Sequence, residues 1–520
     1  MADRSRNDEQ SREETSENSA ATYQLPIDNL SRRNVLAGAG GLGGILFGAS
    51  ALSRRTGGSD DGDESNTPRE SEFLSATEPT NQHRVETVAE DEFVVTDPAL
   101  EAHIDRHDLP APPNLSDIDT QRTRDAVDDI GLDPSGSEPI QNRLENALRD
   151  GDRIEFPSGS YRLSGHLNIS GHSNFALVGT GDVTFVVDSG LTRTVLSYRN
   201  CRDCAFVGID IDQSASNCSA QTAFNISGRL VVTDVEFLGW SDPDDSGKKI
   251  AFNVRDSSGV ARFERVIAND GTEVGRSGVD HNNVHKQQYD GAYWAGPPHE
   301  GTAYLINCEA AHWSDNGLYA SRTNGGIIVS GGYYANSSIS QVRLGHPESF
   351  VGNGCHMLID RDQIPDEHNP SGLAFTRGIW LESGSLDNPG ATVGQCFIEV
   401  GSVGSFGGCI NVAPSASNAV IEGTVEVIAP SSIDRLNART SVDVADGAIQ
   451  DVDSFSEDPN DGGDGGGGGS TDDEEGDDGN NSDADDDNPD NSDDNDNPDD
   501  SELSGCGSIG DENPIVTFCN

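Results

Sequence analysis

Seven of the 12 histidines fall between positions 281 and 368, in company with Trp294, Trp313, Tyr319, Tyr333, Tyr334 and Arg343. Imidazoles, carboxyls and phenols can move protons, a guanidinium can offset a carboxylate, and aromatic faces suit sugar rings. The densest stretch is His312-Trp313-Ser314-Asp315-Asn316-Gly317-Leu318-Tyr319, and residues 336–346 follow one repeat later. His312, Asp315, Tyr319 and Arg343 are therefore the candidate catalytic residues, expected to face one groove. Trp294, His299, Trp313 and Asn316 are the candidate substrate contacts. As a lyase, Arg343 would offset a substrate carboxylate while Tyr319 or His312 removes the adjacent proton. As a hydrolase, Asp315 needs a second carboxyl such as Asp290 or Glu300, about 5–10 Å away. The plainer alternative makes Asn316-Gly317 a turn, Asn336 part of an asparagine ladder and Tyr319 a filler of core or rim.

Residues 269–301 read as an insertion that folds over this face, carrying Asp280, His281, His285, Asp290, His299 and Glu300. His281 and His285 have i, i+4 spacing, yet their Gly/Asn-rich context argues against a helix and no Glu-containing metalloprotease motif accompanies them. No metal site is expected, and the sequence specifies no cofactor. Cys201-Arg202-Asp203-Cys204 lacks a second Cys pair or a spaced His pair, so a structural role is expected. Nine cysteines are an odd number; Cys506 and Cys519 could close a small terminal loop.

Such residues need a scaffold, and an internal repeat supplies one. Apolar or small residues recur at offsets 0, 2, 5 and 7 in seven sets: Cys204/Phe206/Ile209/Ile211, Leu230/Val232/Val235/Phe237, Ala261/Phe263/Val266/Ala268, Ala303/Leu305/Cys308/Ala310, Ile327/Val329/Gly332/Tyr334, Ile379/Leu381/Gly384/Leu386 and Cys396/Ile398/Gly401/Val403. Offsets 0 and 2 share one strand face, as do 5 and 7 of the next strand. The two intervening residues bend the chain so that both pairs enter one core. This is solenoid spacing, and it predicts an all-β, right-handed parallel β-helix. A β-sandwich is the structural rival.

Ahead of the repeat, residues 137–149 place Ile140, Leu144, Ala147 and Leu148 on one helical face, a short capping helix. The following Gly151-Asp152-x-Ile154-x-Phe156-Pro157-x-Gly159-x-Tyr161 resembles the opening of pectate-lyase-like β-helix domains. The resemblance covers residues 137–430 and implies a coil fold; members of that superfamily commonly bind elongated polysaccharides along a strand face. The Gly-His-Gly, Arg-x-Lys and paired-Asp elements of polygalacturonases do not occur, and neither does the Arg-x-Pro-x-x-Arg element of pectate lyases.

The chain has a net charge of −57, with acids spread throughout: residues 128–455 hold 42 acids against 21 Lys and Arg. That repulsion is screened only in concentrated salt, and the Lys-poor, Arg-dominated balance resembles proteins of salt-loving archaea. Nucleic acid is excluded as a partner, because no basic stripe exists to neutralise phosphates. Ser31-Arg32-Arg33-Asn34-Val35-Leu36 before the Gly-rich apolar run 35–52 resembles a twin-arginine export signal, with Ala49-Ser50-Ala51 as cleavage site; the alternative is a retained membrane anchor. Gly38, Gly40 and Gly43 spell G-x-G-x-x-G without the βαβ unit that would give it meaning.

The expected organisation is a signal over 1–51, a largely disordered polar linker over 52–127 with room for a short helix, a capping region over 128–152 and the β-helix over 153–455. Residues 456–505, with 21 acids and no bases, read as a disordered tail, and 506–520 as a short Cys-bearing end. Sequons at Asn114, Asn168, Asn217, Asn225, Asn336 and Asn480 permit glycosylation of an exported chain. The functional expectation is an extracellular or cell-surface protein that binds, and in one version cleaves, polysaccharide, with no stable membrane span after signal cleavage. A non-catalytic cell-envelope or adhesive protein is the competing class.

Overall fold

The computed structural model describes residues 93–242, 247–274, 290–369, 376–383 and 390–453. Among the described residues thirty strands form one continuous set of parallel pairings, and from Gly291 onward each strand that has a third successor pairs with it. Three strands per coil, stacked in parallel on the next coil, make a parallel β-helix. Three sheets line a single interior in which Phe156 meets Phe185, Tyr198 meets Phe224 and Phe252 meets Phe263 at ring separations of 5.3, 5.2 and 4.6 Å. Such edge and tilted contacts add to the ~1.5–3 kcal/mol that each buried large apolar side chain contributes.

The first five repeat sets form the expected ladder. Cys204, Leu230, Ala261, Ala303 and Ile327 are register partners on one sheet, followed two residues on by Phe206, Val232, Phe263, Leu305 and Val329. The last two sets lose that phase, and Gly384 and Leu386 of the sixth lie outside the described residues. Ile379 and Leu381 stack on Val342 and Leu344 of a different sheet, while Cys396 and Ile398 stack on Cys355 and Met357, the second strand of the coil. The cause is the third strand of each coil, which the four-position repeat did not include. Its inward ladder runs Ile250, Tyr293, Leu318, Val342, Ile379, Ile410, Leu436.

Helix α1 (Pro98–His107) begins with Asp97 capping Ala99 N and proline in the first turn, and α2 (Gln141–Ala147) follows. The capping helix is shorter than expected because 135–139 is a strand. Ile140, Leu144 and Leu148 are buried in the main core beside the first coils. The greater correction concerns residues 93–121, expected to be linker. They form an ordered strap across the outside of the coils. Asp97 Oδ2 accepts from Asn353 N (3.1 Å) and Gln395 N (2.6 Å), Tyr304 Oη donates to Pro110 O (2.7 Å), and Gln121 N donates to Gly151 O (2.8 Å). Leu100, Leu109 and Phe93 pack on Tyr304, Ile306, Ile328 and Phe350, which are outward side chains of the coils. These apolar outward positions, not the strap's polar composition, decide its order.

Seven cysteines, including Cys201 and Cys204, are buried and free, which agrees with the structural reading of the pair. The signal, the acidic tail, Cys506 and Cys519 lie outside the described residues. Among the described residues no helix is long and apolar enough to cross a membrane.

Candidate functional site

In the third sheet the residue between each inward pair points away from the core. Register pairing puts Trp294 beside Tyr319, Tyr319 beside Arg343, and Arg343 beside Trp380, one per coil at about 4.8 Å steps. The Arg343 guanidinium lies 4.3 Å from the Tyr319 ring centre and 3.8 Å from that of Trp380, so it is held between two aromatic faces. Arg377 covers Trp380 at 4.0 Å. Glu382 pairs with Arg343, accepting from Nε at 2.8 Å, and also accepts from Ser321 Oγ at 3.3 Å. Arg377 is lowered to about 10 by burial and by the neighbouring charges of Arg343 and Arg439. The Tyr319 phenol is pushed up by burial against the pull of Arg343 and Arg322. Two arginines thus lie on the row of aromatic rings, and the charges of Arg322 and Arg439 reach its members.

At one edge of the row Lys248 forms an ion pair with Asp315, and its Nζ lies 5.8 Å from the Tyr319 ring centre. Asp290 adjoins them: its Oδ1 accepts from Gly247 N (2.6 Å), and its backbone oxygen accepts from Asp315 N (3.1 Å). Burial raises the Asp290 carboxyl to about 7, and the charge of Asp315 adds to the rise, while the Gly247 N–H and Lys248 oppose it. Both acids are enclosed, Asp290 at 4% and Asp315 at 5% exposure.

The eight sequence candidates separate. Asp315, Tyr319, Arg343 and Trp294 share the third sheet or its edge. His312 does not join them: it sits at the neighbouring corner in a left-handed backbone conformation (φ 63°), its ring 4.6 Å from that of His368. Burial, then His368, lowers it to about 4. Trp313 is no sugar platform, because it is 2% exposed, packed in the core and donating Nε1–H to Ala268 O at 2.9 Å. His299 is likewise interior, accepting from Val254 N at 3.1 Å and held near 4 mainly by burial. Asn316 points inward and accepts from Ser340 Oγ at 2.6 Å, so it is a coil-joint residue. Tyr334 is also core. Asp280, His281 and His285 lie outside the described residues.

Sequence reasoning missed Trp380, Arg377, Glu382 and Lys248. Trp380 was legible in principle, since Ile379-Trp380-Leu381 repeats the apolar-x-apolar pattern of Leu318-Tyr319-Ala320 and Val342-Arg343-Leu344. Lys248 carried no signal, because its partner is 67 positions away.

No family model and no curated protein sequence matches the chain. Among solved structures it is similar to the Streptococcus pneumoniae surface protein and adhesin PfbA, at 12% identity over 64% of this chain and 97% of that one, with a TM-score of 0.41. The Dettilon tailspike protein gives 9% identity over 61% and 69%, at 0.34. An iota-carrageenase complexed to iota-carrageenan fragments gives 10% identity over 67% and 96%, at 0.33. TM-scores this low lend nothing to function, which is read below from this chain's own side chains.

Proposed function

We propose that this is an exported β-helix protein that binds an acidic polysaccharide along the outer face of its third sheet. The carrying observation is the outward row Trp294, Tyr319, Arg343 and Trp380, in which Arg343, 8% exposed and paired with Glu382, spaces two aromatic rings while Arg377 covers Trp380. Arg377 lies against Trp380, and the charges of Arg322 and Arg439 act on Tyr319 and Arg377, on a chain whose net charge is −57. A guanidinium such as that of Arg377 donates in a planar fork that matches carboxylate or sulfate oxygens, and Trp294 extends the aromatic row for ring stacking. In concentrated salt the charge contribution weakens, leaving aromatic contact to hold more of the affinity.

The test is calorimetric titration of the full chain with a polyuronate, a sulfated galactan and a neutral glucan. The acidic chains should bind, and Trp380→Ala and Arg377→Ala should each weaken binding by roughly 0.5–2 kcal/mol, the range for contacts between a cation and an aromatic face. Circular dichroism should be unchanged. Absence of binding, or equal affinity for the neutral glucan and for both variants, rejects the proposal.

Cleavage of the bound chain is a second reading, favoured by one observation. Asp290, raised to about 7, lies beside Asp315, which is paired with Lys248, and two carboxyls in unlike environments are suited to acid and base roles. The lyase roles are less supported, because burial disfavours the Tyr319 phenolate and Glu382 already occupies Arg343. New reducing ends that vanish in Asp290→Asn would establish hydrolysis; unsaturated, ultraviolet-absorbing products would establish a lyase; neither would leave binding alone.

A further inference from the structure

Five of the six Asn-x-Ser triplets fall within the described residues, and the fold treats them differently. Asn336 and Ser338 are each 2% exposed, and Asn336 Oδ1 accepts from Asp360 N at 2.7 Å. Asn217 is exposed on a turn, but Ser219, which supplies the hydroxyl of its triplet, is buried. Asn225 Oδ1 accepts from Asn253 Nδ2 at 2.9 Å, and Asn114 Oδ1 accepts from Arg262. Both of those asparagines are half-buried. In the remaining triplet Asn168 and Ser170 are both exposed. They lie in the strand Leu167–Ser170, where residues two apart point to the same side. That strand opens the third sheet and, among the described residues, has a strand neighbour on one side only. Asn168 Oδ1 accepts from Ser197 Oγ at 2.9 Å, while Nδ2 has no hydrogen-bond partner among the described residues.

We propose that Asn168 is the N-glycosylation site of the folded body. The proposal rests on the export reading: a twin-arginine substrate crosses the membrane already folded, so a transferase outside reaches only an acceptor that the folded surface presents. The transferase must hold the asparagine amide and the hydroxyl two residues on together, and the strand offers both on one side. In the transfer, Asn168 Nδ2 attacks the anomeric carbon of a lipid-linked sugar phosphate or diphosphate. The bond from that carbon to the phosphate oxygen breaks as the Nδ2–carbon bond forms. The lipid phosphate leaves with the electron pair, and one amide proton passes to a base of the transferase. Register pairing runs Asn168, Ser197, Ala223, Ala251, Trp294. The attached sugar therefore rises from the same outward column as the aromatic row, four rungs or about 19 Å before Trp294.

The experiment expresses the full chain in a salt-adapted archaeal host that N-glycosylates its own surface proteins, and reads peptides of the secreted protein by mass spectrometry. The peptide with Asn168 should carry the mass of a host glycan, and those with Asn114, Asn217, Asn225 and Asn336 should be bare. Asn168→Gln and Ser170→Ala should each abolish that mass, whereas Ser170→Thr, which keeps the hydroxyl, should retain it. Circular dichroism should be the same for all. If Asn168→Gln is not secreted, Ser170→Ala and Ser170→Thr decide alone. A bare Asn168 in secreted protein, beside glycosylated host proteins of the same culture, overturns the proposal. Equal occupancy at Asn225 or Asn336 overturns it too, because folded exposure would then not govern attachment. Precursor that stays in the cell with its signal intact overturns the export reading, and the attachment with it.

Discussion

At the scale of single residues, the pair of Lys248 and Asp315 separates a supporting role from a chemical one. Their side chains are only 6% and 7% exposed, so each charge is tolerated because the other is present. Asp315→Asn leaves a buried ammonium without its counter-charge and should cost about 3–5 kcal/mol, whereas Lys248→Met combined with Asp315→Leu should come close to wild type. Denaturant unfolding of the two variants checks this. Equal loss in both would mean that Asp315 matters through something other than the pair. The residue types in this region were legible in the sequence, but their partners were not. His312 and Trp313 are adjacent in sequence, yet one ring turns outward to His368 and the other inward to the Ala268 carbonyl. A left-handed backbone at His312 separates them, and no composition rule announces it.

At the scale of elements, the two-strand repeat was readable because Leu230, Val232, Val235 and Phe237 alternate cleanly, whereas the third strand hid behind unequal loops. Between Leu344 and Ile379 the next coil's first two strands are followed by two short turns, Arg361–Gln363 and Asp366–His368, which lengthen that coil so that periodicity alone cannot phase it. The strap was misread for the opposite reason. Its own sequence is polar, and the apolar surface it covers belongs to distant coils. Its stability should depend on acidity through His103, which is buried and lies tilted against His107 and Phe350 at ring separations of 4.5 and 5.3 Å. Burial lowers it from 6.5 to about 4, with the Glu348 backbone raising it and His107 and Arg106 lowering it. Glu348 and Glu422 also act on His107. A folded-state value below the unfolded one favours the neutral ring. The contribution is therefore complete above pH 6.5 and is lost as pH falls through about 4. His103→Leu should remove that part of the acid sensitivity, so wild type should lose more melting temperature than the variant between about pH 7 and 4.5. Parallel curves would exclude His103 as the origin.

At the scale of the whole molecule, 42 acids against 21 bases over residues 128–455 give a body whose like charges repel unless salt screens them. The melting temperature should climb as salt rises toward about 1 M, where the Debye length shrinks to about 3 Å. A flat profile would separate the acidic composition from any salt adaptation. Export is tested by replacing Arg32 and Arg33 with Lys, which should leave precursor inside the cell; normal secretion would end the twin-arginine reading. The strap, finally, carries information about time. Asp97 bonds Asn353 and Gln395, 256 and 298 positions later, so its anchorage cannot form until those later coils exist. Closing so long a loop is slow in entropic terms and brings no contact energy until its far end is built. A chain emerging from its N-terminus therefore keeps this segment undocked through most of its synthesis. The strap closes over a solenoid that is already long, and its docking marks a finished fold.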